Sequence, residues 1–461
     1  MRPVRLSTIA HWCEGRHLGA DVEVSAVSTD TRTITPGALF VALRGENYDA
    51  HDLVAEAQAR GAAALLLHRD VATDLPRILC ADTQEALGEF AAGVQKDRPA
   101  VVVALTGSNG KTSVKMLTAN ILSRVGRTYI NPGNRNNEIG LPLAVLDAPE
   151  DAQFAIYEMG AGKPGDIAYL ASIAPPQVAL VNNIAPAHLE RMGSLLGIAE
   201  TKGAIYEALS DDGVAVINAD DAFAPFFSQI VGARRSFRFG IENDAEVRAS
   251  RIVHEGGASR FHLHTPAGNA EITLPLPGHH SVMNALAATA LSLAAGASLD
   301  AIVDGLRSAA PVKGRQIAHR LGNGAVLIDD SYNANPGSVA AAIATLAQGV
   351  GEAWLVLGDM AELGEGGTAL HAEIGAQAKR AGLARLWTVG RLSHAASEAF
   401  GEGSAHFDSQ AALTAALISD MRSKGGCAGL SVLVKGSRSS AMENIVAALL
   451  KETLEDTGHA A

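Results

Sequence analysis

Short apolar runs alternate with helical periodicities along most of the chain, and this alternation predicts an α/β protein. An apolar run at 101–105 leads through a glycine-rich turn into a helical pattern at 113–123. Further apolar runs of strand length lie nearer the C-terminus, at 325–328, 353–357, 385–389 and 431–434. Strands that alternate with helices favour a mostly parallel, doubly wound sheet.

The length of the chain and its changes of pattern predict three domains. A chain of 461 residues is too long for a single core. We expect a small α/β unit at 1–98, a central unit at 99–312 and a third unit at 313–461, with the polar segment 95–99 as the first linker. Short alternating runs between 235 and 276 predict an antiparallel edge within the central unit.

Composition and charge exclude several classes of protein. A net charge of −12 argues against general binding to nucleic acid or to membrane surfaces, so an anionic ligand must be met by local donors. The N-terminal stretch lacks the apolar region of a signal peptide, and no run reaches the length of a membrane-spanning helix, so we expect a cytoplasmic protein. Three widely spaced cysteines favour neither a zinc site nor a disulfide framework.

The turn between the run at 101–105 and the following helix has the composition of a phosphate site. Its residues are Thr106, Gly107, Ser108, Asn109, Gly110, Lys111 and Thr112. Glycines let the backbone approach a polyphosphate, Lys111 can bridge outer phosphates, and the Thr112 hydroxyl can bind Mg²⁺. Leu105 stands where the usual G-x-x-x-x-G-K-[ST] motif has glycine, so a shorter form of the motif is present. The alternative is a glycine turn before an ordinary helix.

Polar residues follow several other strands of the central unit. The segment 131–142, N-P-G-N-R-N-N-E-I-G-L-P, predicts a loop, and Glu158 ends a strand where it can serve the Mg²⁺ held by Thr112. His188 also follows a strand, although a single histidine in such a place is more often structural. Lys202 lies on a predicted amphipathic helix, where an exposed lysine is the default interpretation.

Polar clusters also end the strands of the first and third units. In the first unit they surround 28–32 and 45–51, where turn formation is the slightly better explanation. In the third unit they are D-D-S-Y-N-A-N-P at 329–336, G-D-M-A-E-L-G at 358–364 and K-G-S-R at 435–438. None has the G-x-G-x-x-G pattern of a classical dinucleotide domain, so the third unit is interpreted as a second wall facing the phosphate turn.

Taken together, these motifs resemble those of the ATP-dependent Mur ligase family of bacterial peptidoglycan synthesis, over all three units. The resemblance rests on S-T-D-T-R, L-F-V-A-L-R-G-E-N-Y-D-A-H-D, T-G-S-N-G-K-T-S-V-K, G-N-R-N-N-E-I-G-L-P, E-M-G-A, V-N-N-I-A-P-A-H-L-E, I-N-A-D, V-K-G-R, D-D-S-Y-N-A-N-P, G-D-M-A-E-L-G and V-K-G-S-R. It implies a small α/β N-terminal domain, a central P-loop-type mononucleotide-binding α/β domain with a mostly parallel sheet, and a C-terminal Rossmann-like α/β domain.

The resemblance also implies a reaction and its participants. The D-S-Y-N-A-N-P and G-D-M-A-E-L-G motifs match those family members that join D-alanyl-D-alanine to UDP-N-acetylmuramoyl-tripeptide (UDP-MurNAc-tripeptide). ATP would phosphorylate the terminal carboxylate of the tripeptide, and the amine of the dipeptide would attack the acyl phosphate. The expected cofactors are ATP and Mg²⁺. The expected partners are the two substrates, without nucleic acid or membrane insertion, and the protein is expected to be a monomer.

Carried over residue by residue, the resemblance assigns roles within this site. It implies that Lys111, Glu158, His188 and Lys202 are catalytic, and that Thr112, Glu158, His188 and a carbamylated Lys202 hold Mg²⁺ ions. Beyond the phosphate turn, the implied nucleotide contacts are Asn284, Arg315 and Asp330. The implied substrate contacts are Ser28, Thr31, Arg32, Asn47, His51, Asn134, Asn136, Asn137, Ser331, Tyr332, Asn333, Asn335, Lys435 and Arg438.

One residue departs from the family pattern, and two other functions remain open. Ser281 stands where asparagine is common, which puts an adenine contact at that position in doubt. A related amide ligase, such as a folylpolyglutamate synthetase or an earlier Mur enzyme, would share most of these motifs. A nucleotide-binding switch protein would use the phosphate turn but would leave the other polar clusters without a role.

Overall fold

The N-terminal part of the computed structural model is a small α/β unit. The structure describes residues 1–45, 48–186, 188–255, 257–424 and 427–457. The strands of this unit are β1 Val4–Arg5, β2 Arg16–Leu18, β3 Glu23–Val24, β4 Val27–Ser28, β5 Leu39–Val41, β6 Ala64–Leu67 and β7 Arg77–Leu79, and its helices are α1 Leu6–Trp12, α2 Val54–Ala59 and α3 Thr83–Lys96. Among described residues the main sheet has the order β2-β7-β6-β5-β4, parallel except where β2 meets β7.

The central part is built on a larger sheet that carries the phosphate turn near its middle. Its strands are β8 Val101–Thr106, β9 Thr128–Ile130, β10 Phe154–Glu158, β11 Val178–Val181, β12 Val214–Asn218, β13 Arg235–Gly240, β14 Val247–Glu255, β15 Ala258–Thr265 and β16 Gly268–Leu274. Its helices are α4 Lys111–Leu122, α5 Gly140–Asp147, α6 Asp166–Ile173, α7 Leu189–Met192, α8 Leu195–Glu207, α9 Ala224–Val231, α10 His279–Ala294 and α11 Leu299–Arg307.

The order of this central sheet explains its sequence pattern. In the described part of the chain it is β16-β15-β14-β13-β12-β11-β8-β10-β9. The strands from β9 to β14 pair in parallel, whereas β14, β15 and β16 pair antiparallel. The predicted antiparallel edge is therefore confirmed for β14–β16, but β13, which lies in the same predicted stretch, pairs in parallel. Helices cover the parallel strands on both faces, which is why their sequences read as continuous apolar runs.

The C-terminal part forms a third, mostly parallel sheet. Its strands are β17 Ile317–Arg320, β18 Val326–Asp330, β19 Glu352–Gly358, β20 Arg385–Val389, β21 Ser404–Phe407 and β22 Leu430–Lys435, and its helices are α12 Pro336–Ala347, α13 Gly367–Arg380, α14 His394–Phe400, α15 Gln410–Ser423 and α16 Glu443–Thr457. Among the described strands the order is β17-β18-β22-β19-β20-β21, and only β17 runs antiparallel to its neighbour. The expected doubly wound sheet is confirmed.

The first two units share a hydrophobic core, whereas the third has its own. One cluster of buried side chains runs from Val4 through Phe90 to Phe227, because α3 packs against α5 and α6 of the central unit. The two faces of the C-terminal sheet are covered by separate clusters that contain no residue of the other units. The N-terminal and central units therefore form one apolar body, and the C-terminal unit docks against it.

Two residues of the segment 95–99, which was predicted to be a polar linker, are buried, while Lys96, Asp97 and Pro99 are exposed. Gln95 lies within α3, and the Arg98 side chain is buried. The Arg98 guanidinium donates to the carbonyl oxygens of Val145 and Ala148 at 2.9 and 3.0 Å and to Glu150 at 3.1 Å. The polar sequence was misleading here because the Arg98 charge is paired inside the folded protein. The domain boundaries themselves remain predictions.

Candidate active site

The phosphate turn has a backbone that requires its two glycines. Gly107 and Gly110 have φ angles of 149° and 78°. A Cβ at Gly110 would lie 2.4 Å from the Asn284 Oδ1 atom, so a side chain there would collide as well as strain the backbone. Asn183 holds the turn from the next strand, since its side-chain oxygen accepts from the Asn109 N–H at 2.8 Å. The turn thus presents its backbone and the N-terminus of α4 to the cleft.

Lys111 folds back over this turn. Its ammonium donates to the carbonyl oxygen of Gly107 at 2.7 Å. Burial lowers the pKa of Lys111, and the nearby Glu158 carboxylate opposes that shift. The group therefore lies at the place where the phosphate oxygens of a nucleotide would meet the turn.

Glu158 is the most tightly surrounded acidic residue of the site. It is 3% exposed at the end of β10 and accepts hydrogen bonds from Thr112 Oγ and Asn136 Nδ2, both at 2.9 Å. Burial raises the pKa of Glu158, but the Lys115 and Lys111 ammonium groups outweigh it and hold the pKa below its usual range. The carboxylate is therefore charged at neutral pH beside a threonine hydroxyl.

Lys115 is a site residue that sequence reasoning missed. Its side chain is 2% exposed, and its ammonium lies 3.4 Å from the Glu158 carboxylate. It also donates to the carbonyl oxygens of Asn131 and Gly133 at 2.9 and 3.2 Å. Its position one helical turn after Lys111 is the only signal that could have pointed to it. Lys115 ties the 131–142 loop to the acidic residue of the site.

His188 and Lys202 lie beside the cleft in contrasting environments. His188, at the N-terminus of α7, lines the cleft and is partly exposed. Lys202 lies within α8 and is 2% exposed, so the default expectation of an exposed helical lysine is wrong. Burial and the nearby Lys111 lower the pKa of Lys202 to about 7. A substantial fraction of its amine is therefore neutral at physiological pH.

The C-terminal unit forms the opposite wall and touches the phosphate turn directly. Arg315 donates to Thr112 Oγ at 3.0 Å, and its guanidinium lies over the Tyr332 ring, 4.4 Å from the ring centroid. Asn335 donates to the Asn109 side-chain oxygen at 2.8 Å. These contacts join predicted site residues of two domains, as the interpretation of the third unit as a second wall requires.

Further along this wall, a buried ion pair stands at the ends of two adjacent strands. Lys435 lies 2.7 Å from the Asp330 carboxylate and also donates to the carbonyl oxygen of Asn333 at 2.9 Å. Ser331 is buried, and its hydroxyl donates to Asp329 at 2.6 Å. Arg438 is largely exposed at the mouth of the cleft.

The predicted residues of the first unit that the structure describes do not line this cleft. Thr31 donates to Glu56 at 3.2 Å, Arg32 pairs with Asp30, and Ser28 donates to the backbone oxygen of Asp30. His51 is enclosed: its Nδ1 atom faces Asp49 at 2.6 Å, and its Nε2 atom accepts from the His68 N–H at 3.0 Å. Asn47 lies outside the described residues. By contrast, Asn134, Asn136 and Asn137 all line the cleft.

The cleft itself is large and locally basic. Its volume is about 1330 Å³, and the central and C-terminal units both line it. Within the described chain, its cationic lining residues are Lys111, Lys163, Arg191, Lys313, Arg315, Lys435 and Arg438, and its acidic ones are Glu138, Glu158, Asp166 and Asp330. An acidic protein thus concentrates positive charge where it would bind a crowded set of anions.

Asn284 and Ser281 line the part of this cleft next to the phosphate turn. The Asn284 Oδ1 atom accepts from Asn182 Nδ2 at 3.2 Å beside the phosphate turn. The Ser281 hydroxyl donates to the carbonyl oxygen of Pro277 at 2.7 Å, so its proton is used by the backbone just before α10. Ser281 therefore lacks the side-chain amide of asparagine, which has both a donor group and an acceptor group.

Three family models match successive parts of the chain. The description "Mur ligase family, catalytic domain" matches residues 23–95, "Mur ligase middle domain" matches 105–292, and "Mur ligase, glutamate ligase domain" matches 314–438. Among curated proteins, the UDP-N-acetylmuramoyl-tripeptide–D-alanyl-D-alanine ligase of Escherichia coli K12 is 46% identical over 452 residues, which is 97% of this chain and 99% of that protein.

Solved structures agree over nearly the whole length. A crystal structure of MurF from Acinetobacter baumannii has a TM-score of 0.94 at 34% identity, covering 98% of this chain and 99% of that one. The MurF ligase of Thermotoga maritima in complex with ADP has a TM-score of 0.85 at 26% identity, covering 94% and 99%.

Proposed function

The chain belongs to the Mur ligase family, and on this premise we propose that it joins D-alanyl-D-alanine to UDP-MurNAc-tripeptide, with ATP as the energy source and ADP and phosphate as by-products. The single observation that carries the proposal within the molecule is the contact of Arg315 with Thr112, 3.0 Å across the cleft. It places a cation of the third domain against the phosphate turn of the second. A phosphate delivered there is met by both domains.

The chain's own residues account for the needs of this reaction. The γ-phosphoryl group passes from ATP to the terminal carboxylate of the tripeptide, and the dipeptide amine then attacks the acyl phosphate. The amine loses a proton, the tetrahedral intermediate collapses, and phosphate leaves as the amide bond forms. Lys111 and Arg315 neutralise the phosphate oxygens, and enclosure between two domains holds the reactants together.

A magnesium ion fits the donors beside the phosphate turn. Thr112 Oγ and the charged Glu158 carboxylate are 2.9 Å apart, and hard oxygen donors of this kind suit Mg²⁺. When bound, the ion would neutralise phosphate charge and polarise the transferring group. Asn136 holds the other oxygen of the Glu158 carboxylate, and Lys115 lies 3.4 Å from the oxygen that accepts from Thr112.

A second ion is proposed at His188 and a carbamylated Lys202. Carbamate formation needs a neutral amine, and a buried lysine with a pKa of about 7 supplies one. Among the described residues no hydrogen bond or ion pair engages the Lys202 ammonium directly. Carbamylation would convert this buried cation into an anion with two oxygen donors. We expect ¹³C-bicarbonate to give a carbamate NMR signal that Lys202→Met removes; a wild-type spectrum without that signal would refute the modification.

The remaining contacts are proposed for the two substrates. The amide-rich loop residues Asn134, Asn136 and Asn137 would face the UDP-linked peptide, together with Ser28, Thr31, Arg32, Asn47 and His51 of the first domain. The acceptor dipeptide and the acyl phosphate would be met by Ser331, Tyr332, Asn333, Asn335, Lys435 and Arg438. Asn284, Arg315 and Asp330 are proposed to contact the nucleotide.

The protein is further proposed to act as a cytoplasmic monomer. No described helix is both long and apolar enough to cross a bilayer.

The proposal is tested by comparing acceptor amines in an assay of phosphate release. Phosphate release from ATP should require UDP-MurNAc-tripeptide and be much faster with D-alanyl-D-alanine than with free amino acids. Tripeptides that end in lysine and in diaminopimelate should be assayed side by side, because the third residue is undetermined. Equal rates with free amino acids, or activity with tetrahydrofolate and glutamate instead, would contradict the proposal and favour a related amide ligase.

A further inference from the structure

The loop that follows β19 is rigidly anchored within the C-terminal domain. The Asp359 side chain accepts from the N–H groups of Leu392 and Ser393 at 3.0 and 2.8 Å. The Met360 N–H donates to the buried ring of His371 at 2.9 Å. Met360 is fully buried and Leu363 is 4% exposed, so the loop is pinned on both sides of the residue between them.

That residue is Glu362, and packing within its own domain does not explain its conformation. Its side chain is 51% exposed and points away from its own domain, and its backbone has a φ of 61°, which is uncommon for a residue with a side chain. Its carboxylate pairs with the Nδ1 atom of His188 in the central domain, and this is its one side-chain partner among the described residues. A strained residue on a rigid loop indicates a functional constraint.

His188 is built to receive this contact. Its φ is 54°, so both members of the pair adopt the left-handed conformation where the two domains meet. The backbone agrees, since the Glu190 N–H points to the Glu362 carbonyl oxygen at 3.5 Å. An ionised carboxylate only accepts hydrogen bonds, so the contact places a proton on His188 Nδ1. The Nε2 atom, which no described residue contacts by a hydrogen bond, is then the ring nitrogen with a lone pair beside the cleft.

We propose that Glu362 is a positioning residue that reaches across from the C-terminal domain and holds the His188 imidazole with Nε2 available to a cation in the cleft. The inference rests on the proposed function, because that function gives the cleft its metal. Carboxylate–histidine pairs of this kind set the tautomer and orientation of metal-binding histidines. Here the carboxylate belongs to a different domain from the histidine, so the ring is fixed only in the docked arrangement.

Docking of the domains and preparation of the metal site thus become one event. Among the described contacts, Arg315–Thr112 and Asn335–Asn109 form at the same interface, but both act on the phosphate turn. Glu362 is the residue that extends this coupling to the side of the cleft where Lys202 lies. The alternative is a surface ion pair without consequence, which is common for exposed charges.

The tautomer of His188 tests the contact without any catalytic turnover. In ¹⁵N-histidine-labelled enzyme treated with a chelator, measured free and with ADP, the His188 signals are assigned by their absence in His188→Asn. We expect a protonated Nδ1 in at least one state, and a shift toward the Nε2-protonated form in Glu362→Ala. Glu365→Ala removes the same charge from the same exposed loop and should leave the spectrum unchanged. Protonated Nε2 in both wild-type states would overturn the proposal.

Kinetics separate positioning from simple charge. Glu362→Ala should lower the apparent affinity for Mg²⁺ in ligation about 10-fold, with the KM for UDP-MurNAc-tripeptide nearly unchanged. Glu362→Gln should recover most of the loss, because its amide oxygen accepts the same hydrogen bond. Equal losses in the two variants, or none in Glu362→Ala, would overturn the proposal. If the wild type fails to ligate at all, the proposed function fails, while the NMR result still decides the contact.

Discussion

At the scale of single residues, buried charge distinguishes this site from an ordinary glycine turn. Lys111, Lys115 and Glu158 form a compact group in which two ammonium ions hold one carboxylate ionised. The sequence indicated Lys111 and Glu158 because each has a recognisable place, one after a glycine turn and one at a strand end. It could not indicate Lys115, because a lysine inside a helix is usually exposed and only the packed structure shows it buried.

Removing Lys115 should destabilise the central domain. Lys115→Met keeps the length of the side chain but removes the ammonium beside the buried Glu158 carboxylate and leaves two loop carbonyl oxygens without this donor. Breaking a buried pair in this way typically costs about 3 kcal/mol. Urea denaturation should show this loss, whereas Lys163→Met on the exposed part of the cleft should change the free energy of unfolding by less than about 0.5 kcal/mol. Equal effects of the two variants would contradict the assigned role of Lys115.

Lys202 should give the protein a distinctive pH dependence in CO₂-free buffer. Its folded pKa of about 7 is below its ordinary value of 10.5, so folding favours the neutral amine. The destabilisation that results from protonating this buried amine is therefore complete below about pH 7, declines as the pH rises, and vanishes near pH 10.5.

Lys202→Met should accordingly raise the melting temperature most at pH 6 and progressively less toward pH 9. Differential scanning calorimetry of both proteins checks this, with bicarbonate omitted from every buffer. A difference in melting temperature that stays constant over this range would mean that Lys202 does not titrate as proposed.

At the scale of the elements, the strand ends and helix starts of two domains meet at one cleft. The period of apolar residues identified most strands, since buried parallel strands must be apolar on both faces. It did not identify β17 or β21, whose residues are only partly buried and therefore carry mixed sequences. It also did not reveal that Asn335 is a helix cap as well as a site residue.

Asn335 has two tasks that substitution can separate. Its side-chain oxygen caps α12 by accepting from the Ser338 N–H at 2.9 Å, while its amide nitrogen donates to Asn109 at 2.8 Å. Serine caps a helix about as well as asparagine but is too short to reach Asn109.

Asn335→Ser should therefore retain the stability of the C-terminal domain, whereas Asn335→Ala should lose about 1 kcal/mol through the missing cap. Both variants should weaken the docking of that domain on the phosphate turn, which small-angle scattering with ADP would detect as a larger radius of gyration. A normal radius in both would show that the Asn109 contact does not contribute to docking.

At the scale of the whole molecule, the cores divide the chain differently from its sequence pattern. The first two domains share one apolar core, so we expect them to unfold together, and the C-terminal domain separately. The polar composition of 95–99 suggested a linker because composition does not reveal where a charged side chain points. In the folded chain Arg98 is directed inward, against backbone carbonyl groups of α5 and the loop after it.

Arg98 should therefore act as a structural joint. Arg98→Met removes the buried guanidinium donors to the Val145 and Ala148 carbonyl oxygens, and we expect a loss of about 2–3 kcal/mol together with faster proteolysis near 95–99. Arg2→Met is the matched control, because the Arg2 guanidinium pairs with Asp97 at the same joint but the side chain is 42% exposed. Similar proteolysis of both variants and the wild type would indicate that the joint does not depend on Arg98.

The sequence by itself determined the α/β class, the phosphate turn and part of the polar lining of the cleft, because local periodicity and turn chemistry depend on neighbours in the chain. Tertiary structure alone decided which charges are buried and which residues meet. Asn335 and Asn109 are 226 positions apart, and Glu362 finds His188 only because two separately built sheets dock. Burial and pairing between distant segments leave no periodic trace in a single sequence, since they arise only when the whole chain packs.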